Sequence, residues 1–426
     1  MKILRALSDI EAAFHYMHEM GNGSTQVVTA ARVNGDFESA SLSAKLSNWA
    51  ARHEVLNIAI HSSQTDSEQE ELFFFRKPYQ PEQLTIHQES QGVEHQQIFI
   101  EEVNTPLQAD WPWRLSVIIV PEALYIYFTR SHVISDAFTT RVLLQSLLEI
   151  ILWNVSTGLV TKLIPNRNKQ PLKKVKADPA GESTLPLGIA SNSQRHCTIS
   201  SIADRQTKIL RRTLDRKLSA AIITTCKARG ITLNECFAAA LAEAYASSLG
   251  IKQVELYTAI NSRRHFDEAL ASGLGCNIHV LKCPMKAMPL PLDSQAIQYR
   301  SALSKASSAW EPSPLRYSDI KLKVSELCAA DTFLGPCITN SGISDFTSAI
   351  YRQVDFVETA VNRNIANYSV VLHLSSFRGR LHLLYSYASP AMPTSIVKEI
   401  DYALMTKLGL LETSLPGQQP LVRIAQ

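Results

Sequence analysis

Residues 124–137 read Leu124-Tyr125-Ile126-Tyr127-Phe128-Thr129-Arg130-Ser131-His132-Val133-Ile134-Ser135-Asp136-Ala137. The first five are aliphatic or aromatic, the composition of a buried strand, and residues 138–153 carry a strongly apolar helical pattern. The Ser-His segment therefore lies on a strand-to-helix loop, where a rigid scaffold can present a reactive side chain. An imidazole with an ordinary pKa of about 6.5 accepts a proton at neutral pH and later returns it. His132 is thus a candidate general base. Asp136, four residues on, is placed to orient the ring or to anchor the loop through a cation elsewhere. Taken alone, this spacing more often marks a satisfied core histidine than a base, so the decision rests on the rest of the chain.

Outward from this loop, helical and strand patterns alternate. Residues 115–120 and 124–128 predict a hairpin around Pro121-Glu122. Upstream, Ile10, Phe14 and Met17 recur at helical spacing behind a Ser8 cap, and residues 26–33 read as a strand closed by Asn34-Gly35-Asp36. Residues 39–53 return to helical spacing through Leu42, Leu46, Trp49 and Ala50, and 56–60 and 72–75 are strand-like. Between 154 and 206, Pro165, Pro171, Pro179 and Pro186 and many Ser and Asn residues mark a linker or crossover. Its basic run Lys173-Lys174-Val175-Lys176 fits a solvated face, or a contact to a phosphorylated carrier or cofactor.

Beyond the linker the alternation resumes. Strands are expected at 208–214, 254–260 and 278–281, and helices at 217–229, 232–249 (ending at Gly250), 294–310 and 395–408. Residues 370–374 and 381–387 flank Arg378-Gly379-Arg380 as a second hairpin. The pattern predicts an α+β protein of two halves, each a mixed sheet covered by helices. We place the N-terminal subdomain at 1–165, the linker at 166–206 and the C-terminal subdomain at 207–426.

Bulk properties agree with that division. At 426 residues the chain is long for one core. With 45% hydrophobic and 19% charged residues it has the balance of a globular protein rather than a disordered one. A net charge of +3, from 42 basic and 39 acidic residues, argues against nucleic acid or an anionic membrane as the main partner. Arg5, Asp9 and Glu11 interrupt any N-terminal signal, and no apolar run reaches the roughly 18 residues of a membrane span. The seven cysteines are odd in number and lack a CxxC pair, so they read as reduced thiols of a cytoplasmic protein with no zinc site. Cys276 and Cys283 read as core or strand residues.

Six segments, in order, resemble the HxxxD acyltransferase superfamily. That group includes chloramphenicol acetyltransferase, polyketide-associated acyltransferases and nonribosomal peptide condensation domains. Arg52-His53-Glu54-Val55-Leu56 is similar to the early RHxxL segment, and Ser131 to Ala137 to the HHxxxDG core. Thr232-Leu233-Asn234-Glu235 resembles the Thr-hydrophobic-Asn-acidic helix start. Asn261-Ser262-Arg263-Arg264 with Gly275-Cys276-Asn277, then Thr339-Asn340-Ser341-Gly342, then the hairpin at Gly379 resemble the later motifs. The resemblance implies two chloramphenicol-acetyltransferase-like subdomains meeting at a central substrate tunnel, with His132 as general base. It also implies that Asp136 points away from substrate and pairs with an Arg, best matched by Arg263 with Arg264 as the alternative.

The implied activity is transfer of an acyl group from a CoA or carrier-protein thioester to a hydroxyl or amine. No covalent acyl-enzyme, metal or permanently bound cofactor is implied. An acyl-CoA or a phosphopantetheine-linked acyl thioester is the co-substrate, and an acyl or peptidyl carrier protein a possible partner. Ser131 and Ala137 depart from HHxxxDG, and the plant DFGWG signature is absent, with Ser344-Asp345-Phe346 at best a remnant. Ser131-His132 through Thr139 also fits the SHxxxDxxS/T variant of fungal terminal condensation domains. Two alternatives therefore stand beside acyl transfer: a stand-alone condensation or cyclisation enzyme releasing a carrier-bound chain, and a degenerate carrier-binding protein.

Other positions keep plainer readings. Asn340 can donate to an oxyanion or serve a turn beside Gly342. Arg263 and Arg264 can be solvated, and Trp111-Pro112-Trp113 can be core or the wall of an acyl pocket. No GxSxG elbow surrounds Ser131 or Ser135, which argues against a serine hydrolase. His53 reads as a helix-end residue.

Overall fold

The computed structural model describes residues 2–64, 70–90, 92–108, 110–153, 163, 194–265, 273–286, 290–310, 315–343, 346 and 348–412. Most of the 166–206 linker, with its basic run, lies outside these residues, as do Ser344 and Asp345. The N-terminal part runs β1 (Ile3–Ala6), α1 (Asp9–Met20), β2 (Val27–Asn34), α2 (Ser39–Arg52), β3 (Ile58–Gln64), β4 (Glu70–Arg76), β5 (Leu84–Gln88), α3 (His95–Asn104), β6 (Trp113–Val120), β7 (Ala123–Arg130) and α4 (Ala137–Trp153). There follow β8 (Gln194–Arg195), β9 (Gln206–Thr213), α5 (Arg216–Ala228), α6 (Leu233–Leu249), β10 (Gln253–Asn261), β11 (Ile278–Lys286), α7 (Leu292–Ser308) and α8 (Tyr317–Ala329). The chain ends with β12 (Thr332–Phe333), β13 (Cys337–Ile343), α9 (Ser348–Gln353), β14 (Val354–Val361), β15 (Val371–Phe377), β16 (Arg380–Ser389) and α10 (Thr394–Glu412).

Two large sheets carry the architecture, one of five strands in the order β14-β2-β7-β6-β5 and one of six in the order β11-β10-β13-β15-β16-β9. The hairpins expected at Pro121-Glu122 and Arg378-Gly379 are β6–β7 and β15–β16, with positive φ at Glu122, Arg378 and Gly379. β7 is covered on both faces, which explains its nearly continuous apolar sequence. α4 buries Leu143, Leu144, Leu147, Leu148, Ile150 and Ile151, and so anchors the Ser-His loop from behind. At α6 a capping box joins Thr232 and Glu235, and Gly250 closes the helix in the left-handed region that a side chain disfavours.

The two halves are not separate in sequence. β14 pairs antiparallel with β2 from Val354↔Val33 to Val361↔Val27, so a strand from the C-terminal part completes the N-terminal sheet. Ile320, Val324 and Leu327 of α8 likewise join the N-terminal core with Ile10 and Phe14. The sequence patterns did not mark β1, β5, α3, β13 or β14. β1 is short and largely half-exposed, so its alternation is weak. The span 56–60, expected as a strand, begins with a 3-10 turn at Glu54–Leu56 before β3. Trp113 is core: it is fully buried and its indole N–H donates to the Leu56 carbonyl at 2.9 Å.

Candidate functional site

The loop between β7 and α4 is fixed from both ends. Ser131 caps a 3-10 turn over His132–Ile134, its Oγ accepting the Val133 N–H at 3.2 Å, while the Val133 and Ile134 side chains sink into the core. Asp136 immediately precedes α4, its Oδ1 accepting the Thr139 N–H at 2.8 Å. Its Oδ2 accepts the Asn277 N–H at 3.0 Å and forms an ion pair with Arg263. Both carboxylate oxygens are thereby committed to the loop's anchorage. Thr139 Oγ1 adds a bond to the Gly275 carbonyl at 2.7 Å, tying α4 to the segment before β11. Arg263, of the two adjacent arginines, is the one that reaches Asp136; the Arg264 side chain lies outside the description.

His132 stands above this anchorage and is partly accessible. Its ring stacks on Phe14 of α1, centroids 4.5 Å apart and planes inclined by 13°. Cys276 Sγ lies 3.9 Å from Nδ1, so the cysteine is core by burial but touches the site. Burial pushes the imidazole pKa down to about 4, against smaller opposing contributions that include its own backbone carbonyl and the Asp136 charge. The ring is therefore neutral at physiological pH, and it can accept a proton.

The ring faces a cavity of about 210 Å³ whose walls come from both sheets. A second, smaller cavity of about 80 Å³ shares Ser341, Val357, Thr359 and His373 with it. The two thus meet along β13, β14 and β15. His373 is buried, bonds Ser386 Oγ at 2.9 Å, and has its pKa lowered to about 3 by burial, with Arg363 and His132 contributing. Asn340 lies on the rim, exposed, its Oδ1 accepting the Gly342 N–H at 2.8 Å, which is the turn role. His53 is a buried core residue bonded to Ser146 Oγ at 2.9 Å, away from the cavity.

The sequence reading singled out none of the cavity residues Arg130, Arg363 and His373. Arg130 was the most legible, being a cation closing an otherwise apolar strand two residues before His132. Its side chain is fully buried and donates to the Phe128 carbonyl (3.0 Å), Ser135 Oγ (3.0 Å), Thr29 Oγ1 (3.0 Å) and Thr140 Oγ1 (2.6 Å). No local pattern distinguishes Arg363 or His373. Among the described residues no group of His, Cys, Asp or Glu is arranged to hold a metal ion. No described helix is long and apolar enough to cross a membrane.

No protein-family model matches the sequence, and no curated protein matches it. Solved structures do match. The chain shares the condensation-domain fold, so the fold resemblance read from its sequence holds. It is similar to the first condensation domain of the calcium-dependent antibiotic synthetase, solved with a substrate analogue, at TM-score 0.68 and 12% identity over 96% of each chain. The condensation domain of the Monacolin K polyketide synthase matches at TM-score 0.65 and 13% identity, covering 97% of this chain and 99% of that one. The epimerization domain from the third module of tyrocidine synthetase B matches at TM-score 0.61 and 10% identity, covering 96% and 98%. One fold thus serves more than one reaction, and the chemistry must be argued from the site.

Proposed function

We propose that the protein is an acyltransferase that moves an acyl group from a thioester to a hydroxyl or amine, with His132 as general base. The observation that carries this reading is a neutral imidazole facing a cavity built by both halves of the molecule. The acceptor O–H or N–H attacks the thioester carbonyl carbon, forming the new C–O or C–N bond as His132 takes the proton. The tetrahedral intermediate then collapses: the C–S bond breaks, and the imidazolium returns the proton to the departing sulfur. The nearby Asp136 charge favours the transient imidazolium. Asp136 and Arg263 act as positioning residues, since their contacts fix the loop and reach no reacting atom. Asn340 is a weaker candidate for oxyanion contact through its amide N–H, because its Oδ1 is held in the turn.

Neutral His132 is a weak base, so proton removal fits an attack in which the nucleophile acidifies as its bond to carbon forms. The likeness to condensation domains favours a carrier-bound donor over free acyl-CoA, and with it a second reading, condensation or chain release on a carrier protein. Intact mass spectrometry of hydroxyl and amine acceptors, offered acyl thioesters on CoA and on a carrier protein, separates these. Turnover with both donors supports general acyl transfer; turnover with the carrier alone supports the second reading. His132→Ala is expected to lose about 10²–10⁴-fold in rate with its unfolding midpoint unchanged. Equal turnover in that variant would sink the proposal. Absence of turnover in the wild type, with saturable carrier binding that ignores His132, would support a degenerate binding protein.

A further inference from the structure

We propose that Arg363 and Tyr368 form a carboxylate-binding site inside the His132 cavity, so that one substrate of the transfer carries a free acid group. This rests on the acyl-transfer reading for its meaning, though not for its test. Arg363, just beyond β14, is only 5% exposed and lines the cavity. Its guanidinium donates to Asn367 Oδ1 and lies over the Tyr368 ring, 5.2 Å from the centroid. Its Nε has no hydrogen-bond partner, and neither has the Tyr368 hydroxyl, which is buried beside it. Among the described residues no carboxylate lies within ion-pair distance of Arg363.

Two orphaned donors side by side, one of them a cation, form an unusually costly arrangement in a protein interior. Burial depresses the Arg363 pKa, as expected for a cation whose water has been removed without replacement by an anion. The rest of the cavity supplies none. Its charged walls are Arg130, Arg141 and Arg363 against Asp136, and Asp136 is already neutralised by Arg263. Arg130 adds a second fully buried cation bonded to neutral oxygens. The adjoining smaller cavity differs: there Glu358 pairs with Arg211 at 2.8 Å and with His95 at 2.7 Å. Of the two cavities, only the one that His132 faces is therefore lined by buried arginines with no carboxylate partner. A carboxylate satisfies it economically, because it brings one negative charge and acceptors for both a guanidinium N–H and a phenol O–H.

The acid group can belong to the acceptor, as in an amino or hydroxy acid, or to the acyl chain of the donor. Calorimetric titration of the full chain with straight-chain carboxylates from acetate to octanoate, each beside its matched primary amide, tests the site directly. At least one acid is expected to bind tenfold or more tighter than its amide. Arg363→Gln should abolish that preference, Arg363→Lys restore part of it, and Tyr368→Phe weaken it about threefold. A panel in which no acid outbinds its amide, including one in which nothing binds, overturns the site. So does a preference that survives in Arg363→Gln. Should Arg363→Gln fail to fold by circular dichroism, an unchanged preference in Tyr368→Phe overturns it instead. Turnover with esterified acceptors, and separately with donors lacking a terminal acid, then assigns the carboxylate to one substrate. His132→Ala is expected to keep the acid preference while losing turnover, so failure of the transfer reading and failure of this site are distinguishable.

Discussion

Arg263 anchors the loop that bears His132, Arg363 lines the cavity that His132 faces, and the two are about equally buried, at 4% and 5% exposure. Arg263 meets the Asp136 carboxylate and the carbonyls of Gly273 (3.2 Å) and Gly275 (3.3 Å). Arg363 meets an amide oxygen and an aromatic face, with no counter-charge among the described residues. The first arginine completes a structural unit: it neutralises the aspartate just before α4 and so holds the loop bearing His132. The second lines the His132 cavity with no carboxylate beside it among the described residues. Buried charge that is paired supports a fold; buried charge that is unpaired weakens it and is best explained by something the cavity receives.

The largest effect that could break this contrast is on stability. Arg263→Met should lower the unfolding free energy by about 3–5 kcal/mol, because it strands the buried Asp136 carboxylate. Urea denaturation measures this, and Asp136→Asn combined with Arg263→Met should recover part of the loss. An Arg263→Met protein as stable as wild type would mean that the pair does not organise the loop.

A second test uses pH. His15, His18, His53, His132 and His196 all have folded pKa values lowered to about 4 by burial, below the ordinary value near 6.5. On acidification the unfolded chain binds protons first, so stability is full above about pH 6.5 and falls as pH drops toward 4. Thermal unfolding between pH 7.5 and 4.5 should show a progressive decline. His132 should remain unprotonated over that window, so, if it is the base of the proposed transfer, the turnover of protein that stays folded should show no loss attributable to it above about pH 5.

Arg363→Met is the smaller counterpart of the first experiment. Its removal relieves an unpaired buried cation and costs one bond to Asn367, so stability should move by less than about 1 kcal/mol. A loss as large as that in Arg263→Met would erase the distinction between the two arginines. The smallest effect belongs to Asn340→Ala. With its Oδ1 engaged by Gly342 at the exposed rim, turnover should fall by less than about threefold. A drop of 10²-fold or more would instead make Asn340 an oxyanion donor.

What the sequence determined by itself is local. The apolar run before Arg130, the apolar helix after Asp136, the Ser8 and Thr232 caps, and the two hairpins are encoded in neighbouring residues. Six ordered motifs sufficed to give the fold and to single out His132, Asp136 and Arg263. Only the tertiary structure decided that β14 crosses into the N-terminal sheet, because strand pairing across more than three hundred residues leaves no local signature. The same holds for the cavity's electrostatics. Whether an arginine is solvated, paired or orphaned depends on which side chains the fold brings within a few ångströms. Asp136 and Arg263 are 127 residues apart in the chain yet in contact, whereas Arg363 stands in an unremarkable Asn-Arg-Asn triplet and reaches the His132 cavity only once the two sheets are assembled. Periodicity in the chain records which residues are buried, but the partners that give a buried charge its meaning arrive from elsewhere.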